Sequence, residues 1–144
     1  MTTDQTIPDD LSYLLTTDVP AHLTAVAGDG SLVTHVVWVD FDGEHILTGS
    51  PAGSYKGRVF RRRPQVSISV VDPQDPWRRL SISGHVVDIR PDEGLALINK
   101  LSQRYTGTPY PRPDPREIFV IEPDRVRAYR GRARPSVART IAAA

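Results

Sequence analysis

The stretch Thr48-Gly-Ser-Pro-Ala-Gly-Ser-Tyr-Lys-Gly-Arg-Val-Phe-Arg-Arg-Arg-Pro64 decides how this chain is read. A strand ends at Thr48, small residues fill a turn, and a short helix over about 54–63 runs to a proline stop. The stop follows because a residue before proline is pushed out of the α region. Lys56, Arg58, Arg61, Arg62 and Arg63 put five positive charges and no negative one here, in a chain of net charge +1. Free backbone N–H groups at a helix start, with hydroxyls and cations beside them, form an anion site. By charge alone, a solvated basic helix is the simpler account. The sharper reading is that the stretch holds a phosphate or similar anion.

Toward the N-terminus, residues 8–16 predict a short helix with Leu11, Leu14 and Leu15 on one face. His22–Ala27 then reads as a strand, Gly28-Asp-Gly30 as a hairpin turn, and Ser31–Phe41 as one long second strand. Asp40 and Asp42 read as turn residues before a third strand at His45–Thr48.

Toward the C-terminus, Val66–Val71 alternates large apolar with small polar residues, as a half-buried strand does. A proline-bounded loop leads to a long strand over Trp77–Ile89, where Gly84 marks a bulge or corner. Pro91–Tyr105 predicts the best helix, with Asp92 and Glu93 in its first turn. A proline-rich connector precedes a last strand pair, Ile118–Ile121 and Val126–Tyr129, with Glu122-Pro-Asp124 as its turn. The expected fold class is mainly β: a small split β-barrel of six to seven mostly antiparallel strands with two or three short helices. The chain of 144 residues predicts one domain with its core over about 11–129, and a loose tail carrying Arg132, Arg134 and Arg139.

Several chemistries are excluded. The chain has no cysteine, hence no disulfide framework or thiolate zinc site, which fits a cytoplasmic protein. His22, His45 and His85 show no metal-ligand spacing, so no metal is expected. No apolar run is long enough to cross a bilayer, and the N-terminus has no secretory pattern. Nucleophile-elbow, phosphate-loop and dinucleotide-binding signatures are missing. Near-neutral net charge gives no general case for nucleic acid, and Arg61–Arg63 form one compact cluster without interleaved aromatics.

Four segments carry a resemblance in sequence order. They are Leu32–Val39, Ser54–Pro64, Val66–Pro73 with Pro76–Leu80, and Arg104–Tyr110. Together they resemble the pyridoxamine-5′-phosphate-oxidase-like split β-barrel (FMN-binding split barrel) family, in particular its flavin- and deazaflavin-dependent branch. That resemblance implies a homodimer with cofactor sites between subunits, and coenzyme F420 as cofactor, with FMN the alternative. It implies a reductase that passes a hydride from reduced deazaflavin to a conjugated molecule such as a biliverdin-like tetrapyrrole or a quinone. An FMN-dependent reductase or oxidase and a non-catalytic F420 or flavin binder are the alternatives.

The same resemblance assigns site roles. Lys56 and Arg58, with Arg61, would clamp the phosphate, helped by the Ser54 hydroxyl and a close approach at Gly53. The strand carrying Thr34, His35, Val36 and Trp38 would run along the ring. Trp77 would cover one side, while Tyr105, Tyr110 and Arg112 would reach in from a partner subunit. Core packing for Trp38, and an interface or connector role for Trp77, Tyr105, Tyr110 and Arg112, stand beside these readings. One position departs from the family pattern: Val59 stands where deazaflavin relatives often have asparagine, and valine has no side-chain donor.

Overall fold

The computed structural model describes residues 2–131. Eight strands form one antiparallel sheet: β1 (Thr2–Asp4), β2 (Ala21–Val26), β3 (Leu32–Val37), β4 (Asp40–Phe41), β5 (Ile46–Pro51), β6 (Gln65–Val71), β7 (Arg78–Pro91) and β8 (Arg116–Arg130). The helices are α1 (Tyr13–Thr16), α2 (Tyr55–Arg62) and α3 (Ala96–Thr106), with 3-10 turns at Asp9–Leu11 and Glu93–Leu95. Strand order is β3-β2-β6-β7-β8-β5-β4, with β1 added to β8. The two ends of that order, β3 and β4, are joined by only Trp38 and Val39. The sheet must therefore curl until its ends meet. That is how a mainly β split barrel avoids open edges.

Alternation in β6 shows why these residues make strands. Val66, Ile68 and Val70 are buried while Ser67, Ser69 and Val71 face out. The buried set joins Leu23, Ile46, Leu80, Ile82, Phe119, Ile121 and the α1-side Leu11, Leu14 and Leu15 in one core. Fully burying each such side chain favours folding by about 1.5–3 kcal/mol. A smaller cluster of Leu47, Leu97, Leu101, Ile118 and Val120, with Trp38 and Tyr105 against it, seats α3 outside the barrel.

Five expectations are corrected. The long second strand breaks at Trp38 and Val39, because side chains take their backbone groups from the ladder. Thr48 Oγ1 donates to the Trp38 carbonyl at 2.8 Å, Arg104 donates to the Val39 carbonyl at 3.1 Å, and Tyr105 Oη accepts from the Val39 N–H at 3.3 Å. The final strand pair is one continuous strand, β8, rather than a hairpin. Pro123, which lacks an N–H, lies opposite Gly84 at a register shift, so the strand bends without turning back. A side chain at Gly84 would meet the Glu122 carbonyl at 2.5 Å.

The helix expected from Pro91 starts as α3 only at Ala96. Gly94 and Leu95 take left-handed angles, and Asp92 instead accepts from the Leu97 and Ile98 N–H groups at 2.9 Å each. Residues 8–16 likewise split into a 3-10 turn and the single helical turn of α1.

Asp42 is a turn residue as expected, accepting from the Glu44 and His45 N–H groups. Asp40 is not. It is 4% exposed and receives Lys100 Nζ at 2.7 Å and an Arg104 guanidinium nitrogen at 2.9 Å. Burial works to raise its carboxyl, but the hydrogen bonds from Lys100 and Arg104 outweigh it and hold the group below the usual carboxylate range. This pair ties α3 to the joint between β3 and β4.

Asp40→Asn should lower unfolding free energy by about 2–3 kcal/mol in urea titration, less than a fully buried pair because Lys100 stays in solvent. A group whose folded pKa is depressed stabilises above its unfolded pKa of about 3.9 and loses that contribution as pH falls through the folded value. The gap between parent and variant should therefore close on acidification. Gly84→Ala should cost about 1–3 kcal/mol, because the carbonyl it meets is backbone of the paired strand and yields little.

Candidate functional site

The α2 start is built as the sequence suggests. Gly53 turns the chain at φ +77°, and Ser54 caps the helix, its Oγ accepting from the Gly57 N–H at 3.3 Å. Ser50 Oγ donates to the same Ser54 oxygen at 2.8 Å, which orients the cap. One turn into the helix, Lys56 points into a cavity of about 210 Å³. Residues Val36–Trp38, following β3 to its end, form one wall, and Thr48 and Gly49 of β5 form another. Ile98 and Leu101 of α3 close the back, and Tyr110 and Arg116 complete the rim.

The electrostatics of this cavity are one-sided. Lys56 has no hydrogen-bond or ion-pair partner among the described residues, and burial, then the Arg116 charge, depress its ammonium below the ordinary lysine range. Arg116 donates to Tyr110 Oη at 3.2 Å and lies over that ring at 5.1 Å, with no ion-pair partner among the described residues. Two cations that repel each other across a half-buried space favour an anion between them. His35 is half-buried, and burial, then Lys56, push its imidazole below the ordinary value, which favours the neutral ring.

Four expected site residues come together here: Val36, Trp38, Lys56 and Tyr110. Trp38 has the core-packing role and also borders the cavity. It stacks on Tyr105 at 5.2 Å with planes 7° apart and packs on the α3 cluster, yet still lines the cavity. Tyr105 itself is occupied within the chain, donating to the Val19 carbonyl at 2.8 Å. Tyr110 reaches the cavity of its own chain, held by its N–H donating to Asn99 Oδ1 at 2.9 Å.

Other expected residues stand elsewhere. Arg58 and Arg61 line a separate groove of about 630 Å³ on the far side of α2, with Tyr55, Arg62 and Arg63. Arg58 folds back to donate to the Gly53 carbonyl at 2.7 Å, and Arg61 is neutralised by Glu117 at 2.6 Å. Val59 is 8% exposed and belongs to the barrel core. Thr34 faces out, sharing a 2.8 Å hydrogen bond with Thr24. Trp77 and Arg112 do not line the Lys56 cavity. Arg132 and Arg134 lie outside the described residues.

Arg116 is the cation the sequence reading missed. In the chain it is one arginine after a proline-rich connector. Only the pairing of β5 with β8 sets Arg116 opposite Pro51, four residues before α2 begins.

Comparison with known proteins agrees with this fold. The family model described as pyridoxamine 5′-phosphate oxidase matches residues 7–130. A solved F420 reductase is similar at 33% identity and TM-score 0.76, covering 84% of this chain and 98% of that one. A conserved hypothetical protein, Rv2991, from Mycobacterium tuberculosis shares the fold at 23% identity and TM-score 0.67, over 88% of this chain and 87% of that one. A putative pyridoxamine 5′-phosphate oxidase from Listeria innocua does so at 23% identity and TM-score 0.62, over 83% and 94%. The comparison with curated proteins found no match. With a family model spanning nearly the whole described chain and a barrel of the same build, this chain belongs to the pyridoxamine 5′-phosphate oxidase family of split-barrel oxidoreductases.

Proposed function

We propose that this protein is an F420-dependent reductase that passes a hydride to a conjugated small molecule, of the biliverdin-like tetrapyrrole or quinone class. The observation that carries the reading is the Lys56–Arg116 pair: two cations with no ion-pair partner among the described residues, lining one cavity beside the end of β3. Similarity to a solved F420 reductase at 33% identity supports deazaflavin over FMN.

The residues fit an anionic cofactor. Lys56 would hold a phosphate oxygen as a point charge, and Arg116 would offer a planar fork fixed by Tyr110. The backbone around Val36–Trp38 would lie against the ring, with Trp38 braced by Tyr105. When bound, the reduced deazaflavin supplies the hydride; the chain supplies position, charge and exclusion of water.

The cavity of about 210 Å³ is small for such a ligand, since cofactor sites span about 300–1,000 Å³. We take a second copy of the chain to complete it. The exposed apolar residues Val36 (66%), at the cavity, and Leu32 (73%), at the other end of β3, suit a homodimer contact. Trp77 and Arg112, which do not reach the cavity of their own chain, would then be contributed across that contact. The protein would act in the cytoplasm, where a chain without cysteine has no disulfide to lose.

Titration of purified protein with F420, followed by fluorescence, should show saturable quenching, while FMN should bind more weakly. Absence of saturable F420 binding would sink the proposal, and tight FMN binding instead would select the FMN-dependent alternative. Lys56→Ala and Arg116→Ala should each weaken F420 binding by roughly 10- to 150-fold, the equivalent of about 1.5–3 kcal/mol for a charged hydrogen bond. Arg61→Ala, whose partner is Glu117, should change it far less.

The pH dependence has a definite sign. A lysine binds an anion only while protonated, so affinity should fall as pH rises through the depressed Lys56 value. Lys56→Arg should remove that alkaline limb, because arginine stays charged throughout. A limb that persists in Lys56→Arg would assign it to another group.

A further inference from the structure

We infer that Asn99 on α3 is a positioning residue for the anion site: acting through Tyr110, it sets the guanidinium plane of Arg116 without itself bordering the cavity. This rests on the reading of Lys56 and Arg116 as the cations that hold an anionic cofactor.

The connector between α3 and β8 is stiff by composition. Pro109, Pro111, Pro113 and Pro115 occupy every second position, and each fixes its own φ and keeps the residue before it out of the α region. A segment so poor in backbone N–H groups has little ladder of its own, and its place is decided by where it is clipped. Two clips come from one face of α3. Ser102 Oγ donates to the Thr108 carbonyl at 2.7 Å, and Asn99 Oδ1 accepts from the Tyr110 N–H at 2.9 Å. Side chains three residues apart are neighbours on a helix surface, so these two act on the connector together. At its far end the Ala52 N–H donates to the Pro115 carbonyl at 3.0 Å, and the Asp92 N–H donates to the Arg116 carbonyl at 2.9 Å.

The Asn99 amide has one orientation. Its Nδ2 donates to the Leu95 carbonyl at 3.0 Å, one turn back in the chain, which leaves Oδ1 for the Tyr110 N–H. Tyr110, held this way, meets Arg116 twice. Nη1 donates to Oη at 3.2 Å, and the guanidinium carbon lies 5.1 Å from the ring centroid. Two contacts fix the plane of the fork, where one hydrogen bond would leave it free to turn. The other terminal nitrogen, Nη2, lies toward Gly49, where an added Cβ would stand 3.9 Å from it. Gly49 lines the cavity, so Nη2 is the nitrogen turned toward an anion. An arginine fixed before its ligand arrives loses less rotamer freedom on binding.

The first measurement needs no cofactor. The Arg116 Nε–H NMR resonance, assigned as the one missing from Arg116→Lys, should carry the ring-current shift of Tyr110 and move toward the free-arginine position in Asn99→Ala. F420 affinity is then read by fluorescence quenching in a double-mutant cycle, each variant checked as folded by its Tm. Asn99→Ala and Tyr110→Phe should each weaken binding roughly 3- to 10-fold, the range of one lost neutral hydrogen bond. In an Arg116→Ala background, Asn99→Ala should cost less than about twofold, because a residue that acts through Arg116 has nothing left to act on. Equal losses in both backgrounds would make Asn99 merely structural and overturn the inference, as would an unmoved Arg116 resonance in Asn99→Ala. A parent that fails to bind F420 would remove the cofactor reading, while the resonance would still decide whether Asn99 sets Arg116.

Discussion

The polar backbone of Trp38 and Val39 is the constraint on which the rest of the structure depends. These two residues join the opposite ends of the strand order, so the sheet curls as far as this link requires. A buried corner outside the ladder leaves peptide groups that must find other partners. They find them in Thr48 from β5 and in Arg104 and Tyr105 from α3. The α3 residues are anchored in turn by the ion pairs of Asp40 and by the stack of Tyr105 on Trp38. Barrel closure, helix docking and the wall of the cavity are therefore one arrangement.

The same corner explains the separation of charge around α2. Six of the helical residues that follow the Ser54 cap split between three surroundings. Lys56 goes to the cavity, Val59 and Phe60 go to the core, and Arg58, Arg61 and Arg62 go to the outer groove. A helix turning about 100° per residue cannot present five cations to one ligand. The run that looks uniform in sequence is divided by helical geometry, and Glu117 removes Arg61 from the count of uncompensated charge. The cations that line the Lys56 cavity are Lys56 from this helix and Arg116 from β8. Val59 fills space in the core and borders the outer groove instead of facing the Lys56 cavity.

Much of the fold was legible. Alternation placed β2, β5, β6 and β7 to within a few residues, the serine before a cationic run marked the α2 cap, and the leucines of residues 11–15 did enter the core. Gly84 was flagged as a bulge and stands at one. Two of the misses share a cause. Trp38-Val39 and Glu122-Pro123-Asp124 are places where a distant residue, not a neighbour, supplies the hydrogen bond or the close contact, and local pattern does not record it; at Gly94-Leu95 the nearby Asp92 carboxylate takes the N–H groups instead.

On its own, the sequence determined what depends on neighbours a few residues apart: the mainly β class, the hairpin punctuation, the cap at Ser54 and the cationic character of α2. It also pointed to Val36, Trp38, Lys56 and Tyr110, all of which line one cavity. Tertiary structure alone decided which charges remain uncompensated, because pairing is a matter of residues 56 positions apart, as in Arg61 with Glu117. It decided in the same way that Arg116 joins Lys56. Strand register brings those groups together, and register is set by the whole sheet.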